Sequence, residues 1–198
     1  MLTHACASST IIEEISRHCR SSHSLAIAYF YFEFHRKDIH PDSVLRSLIK
    51  QLSFQCASLP DALAKLFSEN AEGQRTPTSQ ELISTFKSII RSFENVYIVF
   101  DALDECQDRR EFLKLLQIIH GWELGTLHLL ATSRQEKDIA KVLNTLVSHD
   151  VAMDETLIDG DIRFHVSKTL DHDNEFGMYS EKERKMVETA LADGAHGM

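Results

Sequence analysis

VYIVFDALDEC, residues 96–106, is an apolar run that ends in three carboxylates. Consecutive apolar and aromatic residues, several of them β-branched, are typical of a strand that is covered on both faces, as in a parallel α/β sheet. Acidic residues that follow such a strand lie at the edge where these sheets bind their ligands. The stretch therefore predicts one half of a nucleotide site.

The three acidic side chains have the chemistry to hold a metal ion and to activate water. We assign Mg²⁺ to Asp101, because this ion prefers hard oxygen ligands and usually takes only one or two from the protein. Asp104 or Glu105 is then suited to orient or deprotonate a water that attacks a phosphate. The alternative is a solvated turn, whose acids favour the start of the next helix through the helix dipole.

A second predicted strand, residues 127–133, ends in Thr132 and Ser133 and is followed directly by Arg134. The carboxyl ends of parallel strands meet at one edge of a sheet, so two hydroxyls and a guanidinium join the acids there. The planar guanidinium is suited to phosphate oxygens, although a surface position or an ion pair at a helix start is the alternative for Arg134. The two strand ends together favour a nucleotide-site ancestry.

The apolar periodicity along the chain predicts an α/β fold. Helices are predicted over residues 8–19, 41–54, 60–67, 79–93, 109–120, 136–146, 159–170 and 180–192, strands over 24–34, 96–100 and 127–133, a weak strand over 147–153, and an exposed loop over 69–78. The order strand, helix, strand from residue 96 to residue 133 makes a βαβ unit. We therefore expect a parallel sheet flanked by helices.

Length and composition set limits on the class of protein. The 198 residues suffice for one domain with a sizeable core. The net charge of -9 is concentrated in residues 150–198, where twelve acids face five bases, which argues against binding to nucleic acid or to an anionic membrane. Four cysteines without a CxxC pair, and the lack of a signal peptide, predict reduced thiols and a cytoplasmic location.

Three segments together resemble a known family: FDALDEC at 100–106, LLATSR at 129–134 and AYFYFEF at 28–34. They are similar to the NACHT domains of STAND-class signalling NTPases, and most of all to the nephrocystin-like N-terminal domain of fungal NLR-like proteins that carry ankyrin or other repeats. In that family the acidic strand end is the Walker B motif, and the strand ending in TSR is sensor 1.

The resemblance implies a set of roles. ATP or GTP would bind with Mg²⁺ at Asp101, Glu105 or Asp104 would position the attacking water, and Arg134 with Ser133 would contact phosphate. Residues 1–153 would form a partial P-loop NTPase core. Residues 154–198 would form an acidic helical extension, since ADGAHGM at 192–198 resembles the stretch that precedes the winged-helix region of the family.

The sequence departs from the family at its N-terminus. In the family, a Gly-rich loop that ends in Gly-Lys-Ser precedes the helix that begins SSTII, and the amides and the Lys of this loop cradle phosphates. Here SSTII is residues 8–12, so Thr3, His4 and Ala5 occupy the places of those three residues, and none of the 7 glycines precedes Gly73. We expect a fold that lacks the first strand and the phosphate loop, either as part of a larger protein or with a rearranged sheet.

Two functions follow from these expectations. The first is a fragment of a NACHT-type signalling NTPase, a nucleotide-dependent switch for self-assembly, which does not bind nucleotide tightly on its own. The alternative is a degenerate, non-catalytic protein-interaction module, because neighbours of a missing strand would expose their edges. In both cases the expected partners are further copies or other NACHT or repeat-containing proteins.

Overall fold

The computed structural model describes residues 2–35, 39–151, 164, 166–168, 170 and 180–195. Contacts between Cα atoms divide the chain into two units, one of Ser8–Val147 and one of Met1–Ala7 with Ser148–Met198. In chain order the elements are α1 (Leu2–Cys19), β1 (Leu25–Tyr31), α2 (Pro41–Ser53), α3 (Asp61–Glu69), α4 (Ser79–Ile90), β2 (Asn95–Asp101), α5 (Arg109–His120), β3 (Leu127–Ala131), α6 (Lys137–Leu143) and α7 (Glu181–Ala195).

The three strands form one parallel sheet in the order β1-β2-β3. The acidic-ended strand β2 is central: Phe100 lies opposite Phe30 of β1 and opposite Ala131 of β3. A central strand is covered on both faces, which accounts for the apolar run that precedes Asp101. The predicted α/β class, with a parallel sheet flanked by helices, is confirmed.

The main core lies between one face of the sheet and the helices α2, α4 and α5. Phe112 of α5 is fully buried, and its ring makes edge-on contacts with Phe100 and Phe32 at centroid distances of 5.0 Å. Helix α1 packs on the opposite face of the sheet, where Ile12 contacts the cluster around Val99. The sheet is therefore covered on both sides, as in other α/β proteins.

Local sequence signals account for the helix starts. Pro41 occupies the first turn of α2, where its missing N–H costs no hydrogen bond. Helix α4 begins with a capping box, in which the Glu81 N–H donates to the Thr78 hydroxyl over 3.3 Å and the Thr78 N–H donates to the Glu81 carboxylate over 2.7 Å. These caps fix where the two helices that cover the sheet begin.

Most predicted elements agree with the structure, and the helix predicted over 109–120 has the bounds of α5. The weak strand predicted over 147–153 is wrong for residues 147–151, which have no strand conformation. Ser148, His149 and Asp150 interrupt the strand-favouring side chains there. Residues 152 and 153 and most of the helix predicted over 159–170 lie outside the described residues. Within that predicted helix, residues 164, 166–168 and 170 are described, and they are helical.

The Phe112 ring is expected to be a major source of stability. Phe112→Ala should lower the free energy of unfolding by roughly 3–5 kcal/mol, because it empties a site surrounded by two other rings. Ile118→Ala on the same helix is the matched control, since Ile118 is 47% exposed and its loss should cost less than about 1 kcal/mol. Urea denaturation followed by circular dichroism measures both, and equal losses would contradict this account of the core.

Candidate functional site

The chain leaves β2 through a left-handed turn. Ala102 has φ 55° and ψ 51°, a conformation that costs energy for a residue with a Cβ, and it leads into the 3₁₀ turn Leu103–Glu105. The turn is held from β3: the Ala102 N–H donates to the Thr132 hydroxyl over 3.0 Å, and the Leu103 N–H donates to the Thr132 carbonyl over 2.9 Å. The end of β3 therefore sets the conformation of the acidic turn.

Asp101 is 6% exposed and takes its hydrogen bonds from two neighbouring elements. Its Oδ1 accepts from the Thr132 hydroxyl over 2.6 Å and from the hydroxyl of Ser8, which is fully buried on α1. A buried carboxylate needs such donors, because burial without them disfavours its charged form. Asp101 thus joins α1, β2 and β3 at one point.

Asp104 is directed at Arg134. Its carboxylate accepts from the Arg134 N–H over 3.0 Å and lies 3.6 Å from the Arg134 Nε, with the Asp104 side chain only 10% exposed. The Asp104 carbonyl accepts from the Arg109 guanidinium over 2.6 Å, and Arg109 also pairs with Asp138 at 3.1 Å. The positive charge of Arg134, which could attract a phosphate, is therefore balanced by the Asp104 carboxylate of the same site.

Glu105 and Ser133 also make local contacts. The Glu105 carboxylate accepts from the Phe34 N–H over 2.9 Å, which attaches the segment after β1 to the acidic turn. The Ser133 hydroxyl donates to the Arg134 carbonyl over 2.7 Å. Both side chains stabilise the backbone around the strand ends.

The structure brings together all five predicted site residues at the carboxyl edge of the sheet: Asp101, Asp104, Glu105, Ser133 and Arg134. In this arrangement they lack a cation that is free to meet the phosphates of a Mg²⁺-bound nucleotide, because the Arg134 guanidinium faces Asp104 and Thr3, His4 and Ala5 stand at the places of the family's Gly-Lys-Ser. Among the described residues no three His, Cys, Asp or Glu side chains form a group that could hold a metal ion. Residues 3–5, which align with the Gly-Lys-Ser of the family, lie in the first turn of α1.

Ser8 was not predicted to contact Asp101. The signal that could have identified it is its place on the buried face of α1, in helical register with Ile12, Ile15 and Cys19. A hydroxyl in an apolar stripe requires a hydrogen-bond partner, but the sequence does not say which one.

Cys106 follows the acidic turn and is 5% exposed. Burial, and to a smaller extent the carboxylate of Asp108, raises the pKa of the Cys106 thiol from 9.0 to about 11. The thiol therefore stays protonated at neutral pH. Since the thiolate is the nucleophile and the metal ligand, Cys106 acts as a small buried apolar residue in this site.

A parallel sheet whose central strand ends in acids, beside a strand that ends in Thr-Ser-Arg, defines an α/β protein of partial P-loop type. The model of the family "Nephrocystin 3, N-terminal" matches residues 4–134, a segment that includes the whole sheet and every predicted site residue. The chain therefore belongs to the nephrocystin 3 N-terminal family. No curated protein shows significant similarity to the chain.

None of the helices that the structure describes has both the length and the apolar character that a membrane span requires.

The Thr132 hydroxyl is expected to stabilise the site. Thr132→Val keeps the shape but removes a donor to Asp101 and an acceptor for the Ala102 N–H, so it should lower the free energy of unfolding by roughly 1–3 kcal/mol. Thr126→Val, at the other end of β3, is the control, since no hydrogen bond of its hydroxyl to another described residue is found. Urea denaturation compares the two variants, and an equal effect would mean that the Asp101 contact contributes nothing.

The raised pKa of Cys106 predicts a loss of stability at high pH. The folded chain keeps the thiol proton up to a higher pH than the unfolded chain, so this contribution is complete below about pH 9 and disappears as the pH rises toward 11. We expect the full contribution to reach about 3 kcal/mol. Urea denaturation at pH 8 and pH 10.5 measures the fall, which Cys106→Ala should reduce; an unchanged fall in the variant would refute the assignment to Cys106.

Proposed function

We propose that the chain is a non-catalytic protein-interaction module of a NACHT-type signalling protein, and that its acidic strand end is a structural junction. The observation that carries this proposal is the hydrogen bonding of Asp101, whose Oδ1 accepts from the hydroxyls of Ser8 and Thr132. In the family this carboxylate is the one expected to serve Mg²⁺. Here it connects a helix and two strands.

The charge balance of the site supports the same function. Three carboxylates, Asp101, Asp104 and Glu105, lie beside two guanidinium groups that are both already paired with carboxylates. Arg134 faces Asp104 at 3.6 Å, and Arg109 pairs with Asp138 at 3.1 Å. A nucleotide brings further negative charge, and its phosphates need backbone amides and a Lys to offset it. Without that cradle the remaining acids repel a nucleotide, because like charges brought together disfavour each other.

The alternative function is a nucleotide-dependent switch within a larger protein, with NTPase activity. The observation that favours it is the position of Asp101 and Arg134 at the same edge of the sheet, where α/β proteins bind ligands. In that case ATP or GTP with Mg²⁺ would require a phosphate-binding loop from outside these residues. Closure around the nucleotide would then drive self-assembly.

Titration calorimetry distinguishes the two functions. We expect no saturable heat with Mg-ATP or Mg-GTP up to about 1 mM, a concentration at which even a weak site with a free energy of binding near −4 kcal/mol would be half filled. The matched variant is Asp101→Asn, which keeps an acceptor for one hydroxyl and removes the charge. Saturable binding to the original chain that disappears in a folded Asp101→Asn variant would overturn the proposed module and support the switch.

A further inference from the structure

The loop between α3 and α4 is held at its base by a buried asparagine. Asn70 follows α3 and is 1% exposed. Its Nδ2 donates to the Leu66 carbonyl over 2.9 Å, while its carbonyl accepts from the Arg75 N–H and its Oδ1 from the Arg75 Nε, each over 3.0 Å. A buried amide that has found its partners holds one geometry. Asn70 therefore fixes both the backbone and the side chain of Arg75, the residue directly before Thr76.

Thr76 and Pro77 continue this loop over the surface. Thr76 is exposed, and no hydrogen bond of its hydroxyl or its N–H to a described residue is found. Residues 76–78 have neither helical nor strand conformation, and α4 begins at Ser79. A residue before proline is restricted to extended conformations. The Thr76 hydroxyl is thus presented on a short extended segment whose base is fixed.

The Thr76-Pro77 pair occurs once in the chain. Of the three prolines, Pro41, Pro60 and Pro77, only Pro77 directly follows a Ser or Thr. Proline has no N–H, so an enzyme cleft without an acceptor at this place binds Pro and disfavours other residues, whose N–H would be buried without a partner. Protein kinases that act on Ser-Pro and Thr-Pro select their substrates at this residue. The chain therefore offers such an enzyme one hydroxyl, that of Thr76.

A cation without a carboxylate partner lies beside this segment. Arg46 on α2 is exposed, and its Nη2 donates to the Pro77 carbonyl over 3.5 Å, which is long for a hydrogen bond. No carboxylate of a described residue pairs with Arg46. Arg46, Arg75, Thr76 and Pro77 line one groove of about 310 Å³. An anion attached to Thr76 would therefore find the Arg46 guanidinium close by and without a competing carboxylate among the described residues.

We propose that Thr76 is a phosphorylation site for a proline-directed Ser/Thr protein kinase, and that Arg46 and Arg75 bind the phosphate. In this reaction the Thr76 Oγ attacks the γ-phosphorus of Mg-ATP. The Oγ–P bond forms as the bond from the γ-phosphorus to the β–γ bridging oxygen breaks, ADP leaves, and the hydroxyl proton passes to the catalytic Asp of the kinase. The product carries about two negative charges on a side chain that had none.

The phosphate gives the loop a new attachment to α2. Phosphate oxygens accept charge-assisted hydrogen bonds from guanidinium groups, which match their geometry. Arg75 already pairs with Glu81 at 2.9 Å, so Arg46 is expected to provide the larger part of the binding. An ion pair between the loop and α2 then replaces the long hydrogen bond to Pro77. Phosphorylation that creates such pairs is a general way to order a surface loop.

Phosphate uptake by the full 198-residue chain tests the site. Incubation with Mg-ATP and a cyclin-dependent or a mitogen-activated protein kinase, assayed separately, should add one phosphoryl group, which peptide mass spectrometry locates at Thr76. Thr76→Val should take up none, and Thr76→Ser, which restores a hydroxyl, should take up one. Ser58→Ala is the matched control, because Ser58 is exposed in another loop but precedes Leu59, so uptake should not change.

Pro77→Ala tests the selection by proline. This variant keeps the Thr76 hydroxyl but restores an N–H at residue 77, and it should lower the initial rate of phosphate uptake at least about tenfold. No uptake by the original chain with either kinase, uptake only at other residues, or an unchanged rate in Pro77→Ala would each overturn the phosphorylation site.

Arg46→Gln tests the binding of the phosphate separately from its transfer. Phosphorylation should raise the midpoint of thermal unfolding of the original chain by roughly 2–4 °C, because the phosphate gains an internal partner. In Arg46→Gln the uptake should be unchanged and the rise should disappear. Arg91→Gln, which makes the same change of charge at an exposed arginine after the last turn of α4, is the control and should keep the rise. A rise that persists in Arg46→Gln, or that is absent from the original chain, would refute the phosphate-binding role of Arg46.

This inference goes beyond the proposed function and is tested separately from it. Phosphate uptake at Thr76 does not involve Asp101 or Arg134, so its failure would leave the proposed module in place. Saturable nucleotide binding in calorimetry would instead refute the module and leave the phosphorylation site unaffected.

Discussion

The buried carboxylate of Asp101 connects a helix and two neighbouring strand ends at the edge of the sheet. By accepting from the hydroxyls of Ser8 and Thr132 it ties the helix on one face of the sheet to the central strand and to the end of β3. Thr132 in turn holds the left-handed turn at Ala102, and that turn positions Asp104 and Glu105. The conformation of the whole acidic turn thus depends on one charge that is supplied with internal donors.

These internal hydrogen bonds give the acidic strand end a structural role. The same residues that would bind Mg²⁺ and phosphate in a nucleotide switch here accept hydrogen bonds from α1 and from the segments that follow β1 and β3, and Arg134 is balanced by Asp104. Donors within the protein can replace a metal ion as partners of buried carboxylates, because both offset the cost of burying charge. Membership of the nephrocystin 3 N-terminal family is therefore compatible with a site whose function is to hold the strands together.

The two sheet edges follow the same rule that buried or unpaired backbone groups must find partners. On β1 the partners are Gln51 and Gln55, which are spaced so that a helix substitutes for a strand. On β3 no partner for the outward-facing backbone groups of Leu129 and Ala131 is found among the described residues. A fold with few strands must keep the exposed edges of its sheet from pairing with other chains. Among the described residues, only the β1 edge is covered by side chains.

The sequence by itself determined the elements and the edge of the sheet where the site lies. The apolar run of residues 96–100 predicted a buried strand, the periodicity predicted α5 at its observed bounds, and parallel order placed Asp101 and Arg134 at one edge. These features depend on local patterns. The partners of the acids, the role of Ser8 and the hydrogen bonds of Gln51 and Gln55 to β1 were decided by the tertiary structure alone, because each joins residues distant in sequence. The strand predicted over 147–153 did not form at residues 147–151, since a strand needs a neighbour that local propensity cannot supply.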